Sequence, residues 1–397
     1  MILPGATLGI LGGGQLGRMF TVAASNMGYR TIVLDPDPHS PASQFATEHL
    51  CADFQDAKAI DSMAKRCDAV TTEFENVPAT TLQTLAAACT VRPGAHAVAI
   101  AQNRILEKTF LLDNGFPTAR FAAIRTPEDL EQGLRAVGTP ALLKVARHGY
   151  DGKGQTRVAS LEDANAAWRE MRHEPCVLES QVTFETEVSV LLARGADGAV
   201  AVYPVAENKH RNGILDMTLV PARVSEACAH DAVAMATRIA ARLDYIGVLA
   251  VEFFVVNDVL LVNEIAPRPH NSGHYTLDAC VTSQFEQQVR AICGLPLGDT
   301  RLLTPVVMVN LLGDLWHNEH TPPWQILLDH ANLKLHLYGK REARSGRKMG
   351  HYNVLAPTLD AAYAQARSIL QELAQSARVA GSAGTGHHPL PSSNVLP

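Results

Sequence analysis

Short apolar runs alternate with stretches of helical spacing through the first hundred residues. Thr7–Leu11 is apolar, and in Gln15–Met27 the side chains of Leu16, Met19, Phe20 and Ala23 share one helical face, so the pattern predicts a strand and then a helix. Thr31–Asp35 and Ala69–Thr72 read as two more strands and Ala79–Cys89 as a helix, before Arg92-Pro93-Gly94 closes the unit. Alternating strand and helix predict a small parallel α/β unit. A second unit opens with a helix over Ala101–Asn114 and a turn at Gly115-Phe116-Pro117. The apolar runs "ALLKVA", "CVLES", "EVSVLLAR", "AVAVYPVA", "VLAVEFFVV" and "VLLVNEIA" then predict many strands mixed with helices, an α+β arrangement. A third unit follows Gly294-Leu295-Pro296, with "PVVMVNLLG", "LKLHLYG" and the basic stretch "KREARSGRK". The predicted organisation is therefore α/β plus α+β, with units at 1–100, 101–296 and 297–376. Residues 377–397, rich in Gly, Ser and Pro, are expected to form a loose tail.

Composition narrows the function. The chain has 397 residues, 47% hydrophobic and 19% charged, and a net charge of −6. That length calls for two or three domains, and the acidic balance gives no footprint for nucleic acid. The seven cysteines are scattered, without a C-x-x-C pair, so reduced thiols in a cytoplasmic protein are expected and a zinc site is not. The N-terminal apolar run lacks a basic flank and is broken by glycines, so it reads as a strand rather than a signal peptide. No run is long enough to span a bilayer, and no membrane partner is expected.

Two glycine-rich turns carry candidate chemistry. Gly12-x-Gly14-x-x-Gly17 in "LGILGGGQLGR" matches the dinucleotide fingerprint, with Asp35 ending the next strand. The glycines supply only a tight turn and a close approach to a helix N-terminus. Such a turn serves a nicotinamide dinucleotide, a small anionic substrate, or plain helix–strand packing. Only about three strands are readable here, half of what a dinucleotide domain needs, and that favours the anionic substrate. The second turn, in "LLKVARHGYDGKGQ", follows Lys144 on a strand. Gly149, Gly152 and Gly154 let backbone N–H groups turn toward phosphate, and Lys144 and Lys153 add charge. Three glycines between His148 and Gln155 predict a loop that closes on nucleotide. An ordinary hairpin with a charged tip fits the same residues.

The acids separate these readings. Glu252 and Glu264 sit inside apolar runs, flanking a turn at Asn257-Asp258. A two-residue turn would place Glu252 opposite Asn263 and put Glu264 on the other face. A three-residue turn would place the two carboxylates opposite each other, which calls for a cation such as Mg²⁺, shared with nucleotide phosphates. The alternative for Glu264 is an ion pair with Arg268.

With these residues in place, the chain resembles the ATP-grasp superfamily, and within it the 5-(carboxyamino)imidazole ribonucleotide synthases. The stretches "LGGGQLGRM", "RHGYDGKGQ", "NEIAPRPHNSGHYT" and "GRKMGH" carry the resemblance, which spans Leu8 to His351. It implies an N-terminal α/β domain, a central ATP-grasp domain and a small C-terminal β-rich domain. It implies that ATP phosphorylates bicarbonate and that the carboxyphosphate carboxylates the exocyclic amine of aminoimidazole ribonucleotide. Mg²⁺, or Mn²⁺ in its place, and a cytoplasmic homodimer are implied as well.

Carried over by position, ATP would meet Arg104, Lys144, Gly149, Tyr150, Asp151, Gly152, Lys153, Gly154, Gln155, Glu179, Ser180, Gln181, Val182, Glu187, His210, Asn263 and Glu264. Glu179 and the backbone at Val182 would read the adenine edge, and Glu187 the ribose. Glu252 and Glu264 would hold the metal. Arg268, His270 and Asn271 would face bicarbonate and carboxyphosphate, although a histidine in such a turn also serves as a structural hydrogen-bonding group. Gly14, Gln15, Leu16 and Glu73 would border the ribonucleotide, with Glu75 an equal candidate to Glu73. Lys340 and Arg347, and more weakly Lys348, would take its phosphate. The nearest rival reading is a formate-dependent glycinamide ribonucleotide transformylase, which has an acid where Asn271 stands. A nicotinamide-dependent oxidoreductase and a non-catalytic nucleotide sensor are more distant alternatives.

Overall fold

The computed structural model describes residues 1–149, 154–316 and 321–383, with side chains as far as residue 376. The first sheet is parallel and five-stranded. It is built from β1 (Thr7–Leu11), β2 (Arg30–Leu34), β3 (Glu48–Leu50), β4 (Ala69–Thr72) and β5 (Thr90–Val91) in the order β3-β2-β1-β4-β5. Every residue of β1 is buried, because α1 (Gln15–Asn26), α2 (Ala57–Arg66), α3 (Ala79–Ala86) and α4 (Ala95–Ala101) cover the sheet. β3 reads "EHL" and β5 only "TV", too short and too polar to give an apolar run; hence five strands where three were legible. The helix expected over 101–114 starts three residues later, and α4 is a separate helix before it. The Asn103 side chain accepts from the N–H groups of Ile105 and Leu106 and starts α5 (Arg104–Asp113) as a separate helix.

A small antiparallel sheet follows, with β6 (Phe121–Ile124), β7 (Ala141–Val145), β8 (Gln155–Val158) and β9 (Cys176–Ser180) in the order β6-β9-β7-β8. α6 (Pro127–Val137) and α7 (Leu161–Glu170) bury Leu130, Leu134 and Trp168 against it. The third sheet has nine strands. They are β10 (Thr186–Arg194), β11 (Val200–Val202), β12 (Ala206–Arg211), β13 (Ile214–Val220), β14 (Gly247–Val256), β15 (Val259–Ala266), β16 (Val306–Leu312), β17 (Leu333–Leu337) and β18 (Lys348–Leu355). β16 pairs with β13, so the strands of the third unit extend the sheet of the second. α8 (Glu226–Arg242), the one-turn α9 (Thr276–Ala279), α10 (Gln284–Cys293), the one-turn α11 (Gln325–Leu328) and α12 (Leu359–Ala383) complete the chain. α12 runs past residue 376, where the tail was expected to start; residues 384–397 lie outside the described residues.

α10 joins the first unit to the large sheet. Phe285, Val289 and Ile292 share a core with Leu8, Phe20 and Val33, and the Gln288 amide donates to Thr71 Oγ1 at 2.8 Å. Among the described residues, no helix is long and apolar enough to cross a membrane.

The β14–β15 hairpin settles the register of the two acids. Its turn has two residues, Asn257 and Asp258, with φ of +50° and +61°, the primed turn that matches strand twist. Phe253 pairs with Val262, but Glu252 then pairs with Glu264, because Asn263 is bulged out of the ladder. The facing carboxylates arise from that bulge, not from a three-residue turn.

Candidate active site

A cleft of about 640 Å³ runs between the three sheets. At one end lies the first glycine turn, and three of its backbone donors are used within the protein. The N–H groups of Gly14 and Gly17 donate to Glu73 Oε1 and Oε2 at 2.5 and 2.6 Å, and Gly13 N–H donates to Asp35 Oδ2 at 2.7 Å. A Cβ on Gly17 would lie 2.5 Å from the Gly12 carbonyl, and one on Gly14 2.5 Å from Glu73 Oε1. The anion at Gly14 and Gly17 is thus the protein's own carboxylate, Glu73. Asp35, which would meet a dinucleotide ribose, is spent on the same turn. Gly14, Gln15 and Leu16 still line the cleft, as do Glu73 and Glu75. Burial raises the Glu73 pKa despite its two donors. Burial acts the same way on Glu75, but Arg268, with Nε 2.6 Å from Glu75 Oε2, outweighs it and holds that carboxyl below its usual range.

The opposite end gathers most of the residues assigned to nucleotide. Arg104, Lys144, Gly149, Gln155, Glu187, His210, Asn263 and Glu264 all line the cleft. Arg104 Nη1 lies 3.3 Å from Glu264 Oε2 and its Nη2 3.5 Å from the Gly149 carbonyl. Burial opposes the charge on Arg104, yet Glu264, Glu107 and Glu179 together raise its pKa. His210 Nδ1 is 2.9 Å from Glu187 Oε2, and this pairing raises the imidazole pKa against its burial. Gly154 has a φ of +72°, and a Cβ there would meet Val145 Cγ2 at 2.6 Å, so this position of the loop requires glycine. Tyr150, Asp151, Gly152 and Lys153 lie outside the described residues.

Glu179, Ser180, Gln181 and Val182 do not line the cleft. Glu179 is 2% exposed and accepts from Lys144 Nζ at 3.0 Å, with Lys108 Nζ at 3.8 Å. Burial would raise its pKa, but the two lysines lower it, so its charge is held within the protein rather than offered to a base edge. The backbone N–H groups of Ser180 and Gln181 are taken by the carbonyls of Arg120 and Pro140.

Between the two ends, Glu252, Glu264 and His270 bring one ligand atom each within 4.8 Å of the others, and Glu187, His210 and Glu252 do the same. Burial and the facing Glu264 raise the Glu252 pKa. Two carboxylates in one register, one of them resisting ionisation, are a donor set that a hard divalent cation would satisfy. His270 lies 3.6 Å from Glu252 through Nε2 and 2.9 Å from Ser272 Oγ through Nδ1. Burial, with Arg268 and Lys348 nearby, drives its pKa well down, so it is a neutral imidazole. Asn271 borders the cleft, but its amide is used: it exchanges hydrogen bonds of 3.0 and 2.7 Å with Asn310. That reciprocal pair ties the turn to β16. On the far wall, Lys340 donates to Gln15 Oε1 and to the Lys348 carbonyl, both at 2.7 Å, and Lys340 and Lys348 line the cleft. Arg347 does not; its guanidinium donates to the Glu342 carbonyl at 2.9 Å.

Comparison with known proteins agrees with this layout. Residues 5–102 match the ribonucleotide synthetase preATP-grasp domain, 109–285 the ATP-grasp domain, and 306–365 the phosphoribosylaminoimidazole carboxylase C-terminal domain. The N5-carboxyaminoimidazole ribonucleotide synthase of Brucella melitensis is 47% identical over 357 residues, covering 89% of this chain and 97% of the relative. The chain belongs to the N5-carboxyaminoimidazole ribonucleotide synthase family. The Bacillus subtilis synthase is 45% identical, over 88% of this chain and 92% of its own. A crystal structure of the ADP complex of such a synthetase superposes with a TM-score of 0.88 at 43% identity, covering 95% of this chain and 99% of that one. The Aspergillus clavatus synthase in complex with ADP and 5-aminoimidazole ribonucleotide superposes with a TM-score of 0.85 at 33% identity, covering 93% and 99%.

Several residues that support this synthase-family cleft were given no role by the sequence. Glu107 and Lys108 are buried on α5, and their signal was the helical spacing 104, 107, 108, 111, which puts charges on the same face as Leu111. Gln284 grips the 270 turn from α10: its Oε1 accepts from His270 N–H and its Nε2 donates to the His270 carbonyl, both at 2.8 Å. Behind the turn, His274 and His351 are wholly buried, with ring centroids 4.9 Å apart, and Tyr338 OH is 2.9 Å from His351 Nδ1.

Burial drives both of those histidine pKa values well below 6.5. Below pH 6.5 the unfolded chain therefore binds two protons that the folded chain refuses, so stability is full above that pH and falls as acid is added. Between pH 7.5 and 5.5 the pair should lower folding stability by up to about 3 kcal/mol, the limit for two groups that stay neutral when folded. Urea unfolding at the two pH values measures it; equal stabilities would contradict neutral buried histidines.

Proposed function

We propose that this chain carboxylates the exocyclic amine of 5-aminoimidazole ribonucleotide, using ATP and bicarbonate and passing through carboxyphosphate. The products are 5-(carboxyamino)imidazole ribonucleotide, ADP and phosphate. The observation that carries the reading is one cleft that joins three kinds of group: the facing acids with Arg104 and Lys144, then Arg268 and His270, then Gln15, Lys340 and Lys348. That combination suits a nucleotide, a small oxyanion and a phosphorylated amine.

Arg104, Lys144 and the glycine loop would neutralise the ATP phosphates. Glu187, steadied by His210, would accept from ribose hydroxyls. Glu252 and Glu264 would hold Mg²⁺, which Mn²⁺ can replace; when bound, such an ion offsets charge on the transferring phosphoryl group. Arg268 offers a planar fork to bicarbonate and carboxyphosphate, and Glu75 fixes its direction. His270, being neutral, orients an oxyanion or a proton rather than supplying charge. Gln15 would meet the ribonucleotide beside Lys340 and Lys348. The family resemblance extends the reading to a cytoplasmic homodimer.

The test is ADP release under four conditions: Mg-ATP alone, with bicarbonate, with the ribonucleotide, and with both. Full turnover requires both, and the carboxylated product must appear. Turnover with formate and glycinamide ribonucleotide instead would transfer the assignment to the rival ligase.

A further inference from the structure

The bulge that turns Glu264 toward Glu252 is held from outside its own hairpin. β15 is an edge strand of the large sheet, with β14 on one side only. In a regular antiparallel strand, the N–H and C=O of one residue point to the same side, and successive residues alternate. Val262 obeys this: its N–H donates to the Pro117 carbonyl at 2.8 Å and its own carbonyl accepts from Thr118 Oγ1 at 2.8 Å, both on the outer edge. One residue later the phase slips. The carbonyl of Asn263 also faces outward, and so does the N–H of Ile265.

Both outward groups are met by adjacent residues of α5. Lys108 Nζ donates to the Asn263 carbonyl at 2.8 Å, to that of Val262 at 3.4 Å and to Thr118 Oγ1 at 2.9 Å. Glu107 Oε1 accepts from Ile265 N–H at 2.5 Å. Arg104, one turn earlier on the same face, reaches the Glu264 carboxylate itself. The face 104, 107, 108 thus grips three neighbouring groups of β15 with three ionisable side chains. Glu107 and Lys108 are 2% and 1% exposed, and burying two ionisable side chains carries a desolvation cost that packing alone would not demand. Lys108 also lies 3.8 Å from Glu179, which binds Lys144, so the grip continues into the small sheet.

We infer that Glu107 and Lys108 are positioning residues: they lock the bulge at Asn263 and so hold Glu264 in register with Glu252. Without the lock, the two-residue turn at Asn257-Asp258 favours the regular ladder. Glu252 would then face Asn263, and Glu264 would turn to the opposite side of the sheet.

The inference rests on the proposed metal role of Glu252 and Glu264, and the experiment separates the two. Mn²⁺ binding to the full chain with ADP is followed by electron paramagnetic resonance in the wild type and in Glu264→Gln, Glu107→Gln and Glu107→Leu. Glutamine keeps an oxygen acceptor for Ile265, whereas leucine removes it at similar size. Glu107→Leu should weaken Mn²⁺ binding about tenfold or more, as loss of a group supporting a metal ligand does, while Glu107→Gln stays within about threefold of wild type. If the wild type binds no Mn²⁺, or Glu264→Gln binds it normally, the metal assignment fails and the lock falls with it. If Glu264→Gln loses binding but Glu107→Leu does not, the lock alone is overturned. Equal losses in the Gln and Leu variants would overturn it too, since charge and not the hold on Ile265 would be responsible. Should the Leu variant not fold, Lys108→Met/Glu179→Gln compared with Glu179→Gln asks the same question of the Asn263 carbonyl. A further loss of about tenfold supports the lock, and no further loss overturns it.

Discussion

Glu264→Gln should reduce metal-dependent ADP release by roughly a thousandfold or more while the chain stays folded. A bound ion that stabilises the transferring charge is worth several kcal/mol, and each 1.36 kcal/mol is about tenfold in rate. The fold should survive because the side chain at 264 is over a third exposed and its ion pair with Arg104, at 3.3 Å, is at the cleft surface. Removing one of two facing carboxylates also relieves Glu252, whose raised pKa should fall toward the ordinary carboxylate range once its neighbour is neutral. ADP release measured against Mg²⁺ concentration, with circular dichroism as the folding control, checks the expectation. Near wild-type release from the folded variant would remove Glu264 from the metal site.

The same pair shows how far the sequence could be read. That two acids in apolar strands should face each other was legible, because a buried carboxylate demands a partner. The means was not, because a bulge leaves no mark in a periodic pattern: Asn263 looks like any other residue of an alternating strand. The first glycine turn was legible as a helix N-terminus needing an anion, but which anion depends on Glu73 being brought from 59 residues away. Strands of polar sequence were missed for the same reason. β12 reads "AENKHR" and is a strand only because β10 and β13 flank it. Asn271 illustrates the converse case. Its motif placed it beside the reaction centre, and it lines the cleft there, but its pairing with Asn310, a residue of the third unit, follows from no local pattern.

Lys340→Met should raise the KM for aminoimidazole ribonucleotide about tenfold to a hundredfold, leave the KM for ATP almost unchanged, and be far more damaging than Arg347→Ala. The basic stretch between Lys340 and Lys348 lies in a chain that is acidic overall, and the ribonucleotide phosphate is the one anion that the nucleotide end of the cleft does not serve. Sequence assigned that phosphate to Lys340 and Arg347. The structure divides the cluster differently. Gly346, at a φ of +73°, and Ser345 are pinned by Asp314, and Arg347 is turned to the Glu342 carbonyl. β18 starts at Lys348, and side chains alternate across a strand, so Lys348 points into the cleft while Arg347 points elsewhere. Lys340 reaches the cleft from the other arm and touches Gln15 of the first glycine turn, where we propose that the ribonucleotide binds. A charge-assisted phosphate contact is worth roughly 1.5–3 kcal/mol, which sets the expected range. Binding at a remote phosphate positions the amine and leaves the phosphorylation of bicarbonate untouched, so kcat should fall less than kcat/KM. Steady-state kinetics with each substrate varied in turn decide the matter. An Arg347→Ala variant as impaired for ribonucleotide as Lys340→Met would return the phosphate to Arg347, and a rise in the ATP KM alone would move the basic stretch to the nucleotide site.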